Sequence, residues 1–295
     1  MNIMSQNPVK DVLKQIKRIE IATRNKSYGS LSGNYYSIFK GQGLEFSEIR
    51  EYRLGDDVRT IDWKVTARLN VPYVKEFIEE RNLQVYIILD ISGSGSFGNN
   101  VSKKYRALEI IASLSFKAIQ NSDTVGAFLF TDKIEKFIPA KGGKKHMLQI
   151  LYTINSYEAK SKKTNIASCL KKISKIIKKP AMLILISDFF DSNEFIKELQ
   201  VLRKKHDIVS IMIVDEREQS IPNVGLIELE DEETGEQMLV DTSSKEFQKE
   251  YRKITAKHET DLIKKLRKSK VDFAKVLSDE PYEIPLRKLF RYRTV

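Results

Sequence analysis

Apolar residues follow two rhythms along this chain, and the change comes near Leu83. Upstream, Val9, Val12, Leu13, Ile16, Ile19 and Ile21 recur mostly at helical spacing, which predicts an opening amphipathic helix within residues 1–27. Residues 28–43 are rich in Gly, Ser and Tyr and read as loops. Residues 44–82 mix short β-like runs, clearest at Tyr73 to Ile78, around a polar centre at Leu54-Gly55-Asp56-Asp57. Downstream, Val85 to Leu89 is a continuous apolar run closed by a turn, the pattern of a strand buried on both faces. A helix follows over 102–120, with Leu108, Ile111, Ala112, Leu114, Ser115 and Ala118 facing a core. The pattern then predicts strands at Val125–Phe130 and Ile134–Ile138 and helices over 145–156 and 166–178. A strand at Met182–Ile186, a helix over 194–202 and a strand at Ile208–Val214 continue the alternation.

Strands alternating with helices predict an α/β fold, a doubly wound, mostly parallel sheet covered on both sides, over residues 83–295. Residues 222–241 interrupt the rhythm with two β-like runs around Glu233-Thr234-Gly235, a hairpin pattern. A long charged helix over 244–268, a strand at Val271–Val276 and a terminal helix near Leu286 to Tyr292 complete the domain. Residues 28–82 form a smaller β-containing lobe, with the hairpin at 222–241 as a candidate addition to it.

Composition narrows the function. Of 295 residues, 41% are hydrophobic and 31% charged, an ordinary balance for a globular chain. The net charge of +11 comes from lysines scattered in short runs along helices, such as Lys171-Lys172 and Lys264-Lys265, the pattern of solvated faces. Nucleic-acid binding is therefore not expected. No apolar run approaches the roughly 20 residues that cross a bilayer, and nothing before residue 25 resembles a leader peptide. The expectation is a cytoplasmic chain without direct membrane insertion, recruited to the inner membrane, if at all, by its partners.

The stretch Leu89-Asp90-Ile91-Ser92-Gly93-Ser94-Gly95-Ser96-Phe97-Gly98 admits two chemistries. Gly93, Gly95 and Gly98 fit G-x-G-x-x-G, but a dinucleotide turn needs its helix to begin inside the glycine run, where backbone N–H groups hold the pyrophosphate. Here helical pattern starts only near Ser102, Asp90 would put a carboxylate where the pyrophosphate must lie, and Asp132 comes too late to bind a ribose. The other reading is D-x-S-x-S: Asp90, Ser92 and Ser94 at a strand tip offer hard oxygen ligands suited to Mg²⁺. An Asp followed by serines is also ordinary turn chemistry, so the motif needs company. Leu183 to Asp188 supplies it, a second buried strand ending in Asp, and Thr164 lies in a loop before the intervening helix. Carboxyl ends of neighbouring parallel strands converge at a switch point, which gathers Asp90, Ser92, Ser94, Thr164 and Asp188 on one rim.

This constellation resembles the metal-ion-dependent adhesion site of von Willebrand factor A domains. The blocks Gly43 to Tyr52 and Gly55 to Arg68, with Gly126 to Phe130, Leu185 to Phe189 and Asp231 to Gly235, resemble one bacterial branch of that fold, domain-of-unknown-function family 58, over roughly residues 40–245. The resemblance implies that Ser92, Ser94 and Thr164 touch the metal, that Asp90 and Asp188 orient its waters, and that an acidic residue of a partner completes the shell. Mg²⁺ is the implied ion, with Mn²⁺ and Ca²⁺ as alternatives. It further implies metal-gated protein recognition, as adaptor or co-factor of a MoxR-type AAA+ ATPase in remodelling or maturation of protein complexes, or beside other von Willebrand factor A proteins. The chain has Gly95-Ser96 where the family often has Met after the second serine, which keeps the ligands and loosens the loop.

The competing class is a metal-dependent hydrolase or phosphatase using Asp90 and Asp188. Phosphoryl transfer on a strand-end Asp usually needs a second carboxylate two residues on, and that position is Ser92. His146, His206 and His258 are widely separated, and Cys169 sits in an amphipathic helix without a neighbouring base, so a non-catalytic binding module is expected. No G-x-x-x-x-G-K-[ST] occurs, so ATP hydrolysis would belong to a partner. The remaining cluster, Arg50, Arg59, Asp62, Trp63, Lys64 and Arg68, has two readings: ion pairs with carboxylates such as Asp56 or Asp57 that lock the small lobe onto the sheet, which is favoured, or a second docking surface.

Overall fold

The computed structural model describes residues 44–53, 55–79, 83–93, 102–191, 194–230 and 237–291. The opening helix expected in 1–27, the loops of 28–43 and Ser94 lie outside them.

Two antiparallel strands, β1 (Leu44–Glu51) and β2 (Tyr73–Glu79), frame the small lobe. Between them lie a 3-10 turn at Val58–Thr60 and a helix, α1 (Trp63–Leu69), where the sequence pattern had indicated only β-like runs and a polar centre. Capping explains the helix. The Asp62 carboxylate accepts from the backbone N–H groups of Lys64 (3.0 Å) and Val65 (3.2 Å), and Asn70 ends the helix in the left-handed region at φ 55°.

The larger domain runs β3 (Gln84–Asp90), α2 (Lys103–Gln120), β4 (Thr124–Phe130), β5 (Ile134–Lys141), α3 (Lys144–Ser156), α4 (Ile166–Ile176), β6 (Met182–Ser187), α5 (Ile196–Arg203), β7 (Asp207–Val214) and α6 (Glu216–Gln219). It closes with the hairpin β8 (Leu226–Glu230) and β9 (Gln237–Asp241), then α7 (Lys245–Lys268), β10 (Asp272–Leu277) and α8 (Glu283–Arg291). The α/β expectation holds: six strands form one sheet in the order β10-β7-β6-β3-β4-β5, parallel except for β5, which pairs antiparallel with β4. Among the described strands β8 and β9 pair only with each other, in a sheet separate from that of β1 and β2.

Strand residues alternate between two cores. Val85, Ile87 and Leu89 pack with Ile110, Ile111 and Leu114 of α2 on one face, while Tyr86 and Ile88 pack with Leu170 and Ile173 of α4 on the other. Each fully buried Ile or Leu contributes about 1.5–3 kcal/mol, so β3 and β6, both buried on two faces, are firmly held strands of the rim. The chain leaves β3 for β4 on one side and returns through β6 on the other. That reversal is the topological switch point, and it opens a crevice at the carboxyl ends of β3 and β6.

Candidate functional site

Asp90 is the last residue of β3. Its Oδ1 accepts from the Ser92 backbone N–H at 3.0 Å, a tight Asx turn, and the Ser92 side chain also hydrogen-bonds to it. Its Oδ2 accepts from the Ser187 hydroxyl at 2.8 Å, so the tips of β3 and β6 are joined through the carboxylate. Asp188 follows at once, its Oδ1 accepting from Phe190 N–H at 3.2 Å. The chain turns there through Phe189, a buried aromatic at φ 58°, a left-handed conformation that costs a bulky residue of order 1–3 kcal/mol.

Thr164 reaches the same edge through loop contacts. Gly93 N–H donates to Lys162 C=O at 3.2 Å, Asn165 N–H donates to Thr131 C=O at 3.2 Å, and Ile166 N–H donates to the Asp191 carboxylate at 2.7 Å. Asn165 also caps α4 by accepting from Ser168 N–H at 2.8 Å. Asp90, Ser92 and Asp188 line one cavity of about 330 Å³ at the switch point, whereas Thr164 is buried and is not on its wall. Three of the five sequence-predicted ligands thus share the cavity, and Ser94 lies outside the described residues.

Burial, and next the charge of Asp188, push the Asp90 carboxyl up to about 6 against its hydrogen bonds from Ser92 and Ser187. Two carboxylates on a buried rim call for positive charge. Hydroxyls plus carboxylates are a donor set for a small hard cation, and the residues present fit Mg²⁺ better than a nitrogen- or sulfur-seeking metal. Among the described residues no group of three or more His, Cys, Asp or Glu is placed to hold a metal ion, so any ion here depends on the Ser and Thr oxygens.

The positive charge the structure does supply escaped the sequence reading. Lys103, in the first turn of α2, donates from Nζ to Asp188 Oδ2 at 2.9 Å and to Glu218 Oε1 at 2.6 Å. Burial opposes its charge, but Asp188 and Glu218 prevail and raise its pKa. Burial raises that of Glu218 despite Lys103. Glu218 is held by a capping box in α6, its Oε2 accepting from Asp215 N–H at 3.1 Å. Two signals were available: a lysine in the first turn of a helix, against the helix dipole, and a third strand-then-Asp pattern at Ile213-Val214-Asp215.

Other candidates resolve locally. His146 Nε2 lies 3.1 Å from the carbonyls of Val125 and Pro139, between β4 and β5. His258 lies against the Phe190 ring at 5.1 Å, and the Cys169 thiol is fully buried, its pKa raised by burial and by the charge of Asp90.

In the small lobe, the expected locking onto the sheet takes a different form. Arg50, not Arg59, forks onto Asp56, at 2.7 and 2.9 Å, inside the lobe, and Asp57 accepts from the Arg59 backbone N–H at 2.9 Å. Asp62 is occupied as the α1 cap. Trp63 is 69% exposed, and Arg59, Lys64 and Arg68 are exposed beside it in sequence. Helical spacing explains this: Lys64 and Arg68 share the outward side of a short helix, whose other side, with Val65 and Thr66, is partly buried.

The family model described as "Protein of unknown function DUF58" matches residues 48–261. The chain belongs to this family. DUF58 relatives include uncharacterized protein Mb1516 of Mycobacterium bovis and uncharacterized protein Rv1480 of Mycobacterium tuberculosis, each 26% identical over 257 residues, 85% of this chain and 80% of the relative. Solved structures similar to this chain include BatB from Bacteroides thetaiotaomicron, at 15% identity, TM-score 0.48, covering 72% of this chain and 98% of that one. An aerotolerance-related membrane protein from Bacteroides fragilis is similar at 14% identity, TM-score 0.49, with the same coverage. The SpRpn10 VWA domain is similar at 14% identity, TM-score 0.32, covering 44% of this chain and 75% of that one. The DUF58 chain has an α/β fold built on a mostly parallel six-stranded sheet.

Proposed function

We propose that this DUF58 chain is a protein-interaction module whose binding rim is the carboxyl edge of β3 and β6, gated by a divalent cation, Mg²⁺ first and Mn²⁺ or Ca²⁺ as alternatives. The convergence of Asp90, Ser92 and Asp188 on one cavity at the switch point carries the reading. The cation would be held by Ser92, Ser94 and Thr164, with Asp90 and Asp188 beside it. It would supply an open position for an acidic side chain of the partner. Ser187 holds Asp90 in place, and the Asp191–Ile166 contact holds the start of α4 against the β6 loop. Phe190, 68% exposed at the end of the β6 loop, gives the rim an apolar flank for the same partner.

The partner we infer is a MoxR-type AAA+ ATPase, with other von Willebrand factor A proteins as further members of the assembly and remodelling of protein complexes as the task. The site of action we infer is the cytoplasm, with any recruitment to the inner membrane through partners; among the described residues no helix is long and apolar enough to cross a membrane. The alternative, a metal-dependent hydrolase or phosphatase using Asp90 and Asp188, would need a second carboxylate two residues after Asp90, where the chain has Ser92, whose backbone serves the Asp90 turn. Affinity capture of the tagged chain from its native cytosol, in Mg²⁺ and in EDTA, with Asp90→Ala alongside, tests the proposal. An AAA+ ATPase recovered in Mg²⁺ and lost both in EDTA and in the variant is the expected result. The same partners retained in all three would overturn metal gating.

A further inference from the structure

We propose that Lys103 is a tethered competitor of the divalent cation, its ammonium holding Asp188 in the metal-free protein and resting on Glu218 alone when a cation claims Asp188. The inference rests on the divalent-cation reading of the rim and names how that site is regulated. Its basis is the Asp188–Lys103–Glu218 bridge, at 2.9 and 2.6 Å, with the Lys103 side chain 5% exposed.

An ammonium buried to that degree is costly to leave unpaired, so Lys103, which also lines the cavity, stays on a carboxylate. It has two seats of different rigidity. Glu218 is pinned from behind by Asp215 N–H and capped into α6, so it remains in place whatever happens at the rim. Asp188 sits at the end of a strained turn, 12% exposed, on the wall of the cavity that Asp90 and Ser92 also line.

Asp188 and Glu218 share the one Lys103 ammonium, so the bridge itself carries an excess of negative charge, and Asp90 on the same cavity wall as Asp188 takes hydrogen bonds from Ser92 and Ser187. Lys104 also lines the cavity, but it faces Glu158 and makes no bond to Asp188 among the described residues. A cation arriving between Asp90 and Asp188 therefore meets Lys103 directly on Asp188, with Lys104 and Lys162 elsewhere on the cavity wall.

Calorimetric titration of the full chain with MgCl₂ tests this, with Lys103→Met, Lys104→Met and Glu218→Gln compared with wild type. Lys103→Met, close in length and uncharged, is expected to bind Mg²⁺ roughly ten-fold tighter, with Lys104→Met within about two-fold of wild type. Glu218→Gln removes the second seat, fixes the ammonium on Asp188 and is expected to bind several-fold more weakly. Wild type silent and Lys103→Met binding would support the competition while overturning metal gating of the natural protein. Wild type binding and Lys103→Met no tighter, or Lys104→Met rising equally, would overturn the competition alone. Silence in both wild type and Lys103→Met would overturn both readings. Should Lys103→Met not fold, Glu218→Gln decides, and unchanged or tighter binding there overturns the proposal.

Discussion

The Ser187 hydroxyl donates to the Asp90 carboxylate at 2.8 Å across 97 positions of chain, and the same oxygen accepts from the Phe189 backbone N–H at 2.9 Å. One side chain therefore joins β3 to β6 and anchors the left-handed turn that positions Asp188. Ser187→Ala leaves a partly buried carboxylate oxygen and a buried N–H each short of a partner. A loss of about 1–3 kcal/mol is expected. Urea unfolding should show a lower midpoint with an unchanged m-value, and an unchanged midpoint would mean the two strand tips are held by their backbones alone.

Mg²⁺ is expected to raise the melting temperature, because a ligand bound only by the folded state stabilises by mass action, about 2.7 kcal/mol at a hundred times its dissociation constant. Asp90→Asn keeps the side-chain shape and removes a buried charge facing Asp188, so its metal-free stability should equal or exceed wild type while the response to Mg²⁺ is lost. Scanning calorimetry at millimolar Mg²⁺ and in EDTA reads both. A wild-type melting temperature that does not move argues against a preformed site.

The Arg50 guanidinium, bonded to the Asp56 carboxylate, holds that carboxyl down at about 2 from 3.8. A depressed folded-state pKa means the stabilisation is present above pH 3.8 and is lost as pH falls toward 2. NMR titration of the Asp56 carboxyl carbon should give a midpoint near 2 in wild type, returning toward 3.8 in Arg50→Met. Identical midpoints in the two proteins would show that the fork in the lobe does not persist in solution.

Gly126 tolerates no side chain. A Cβ there would lie 2.6 Å from the Tyr86 ring and 2.8 Å from both Ala140 N and Ile138 O, where β5 shifts register against β4. Two of the three are backbone atoms, so Gly126→Ala forces the sheet edge to move, at about 1–3 kcal/mol. Gly142→Ala, with nothing within 4 Å, is the control and should fall within about 0.5 kcal/mol of wild type in chemical denaturation.

Trp63 is 69% exposed on the short helix of the lobe, so Trp63→Ala should leave stability within about 0.5 kcal/mol. If the lobe is a second docking surface, partner recovery in affinity capture falls while the melting temperature stays. A large fall in melting temperature would instead restore a structural role to the tryptophan.

Much of the site was legible because its placement is local. An apolar run ending in Asp is a buried strand with a carboxylate at its tip, and both Val85 to Asp90 and Met182 to Asp188 follow that pattern. The helix at Trp63–Leu69 was missed because its signal is a cap and not a periodicity: Asp62 before a short charged segment looks like a turn unless its hydrogen bonds to Lys64 and Val65 are known. The Arg cluster was legible as far as an Arg fork on Asp56, but alternating charges do not reveal that the fork closes from Arg50 within six residues and so stays inside the lobe.

The sequence by itself determined where the strands lie, that the sheet is mostly parallel, and that Asp90, Ser92 and Asp188 stand at strand tips, because each follows from patterns spanning a few residues. Only the tertiary structure decided which charges face one another. Lys103 meets Asp188 over 85 positions and Glu218 over 115, a pairing set by the order of β7, β6 and β3 in the sheet. Local hydrophobic patterning places a residue on its own element, while the electrostatics of this rim depend on elements far apart in the chain that meet only when the sheet closes.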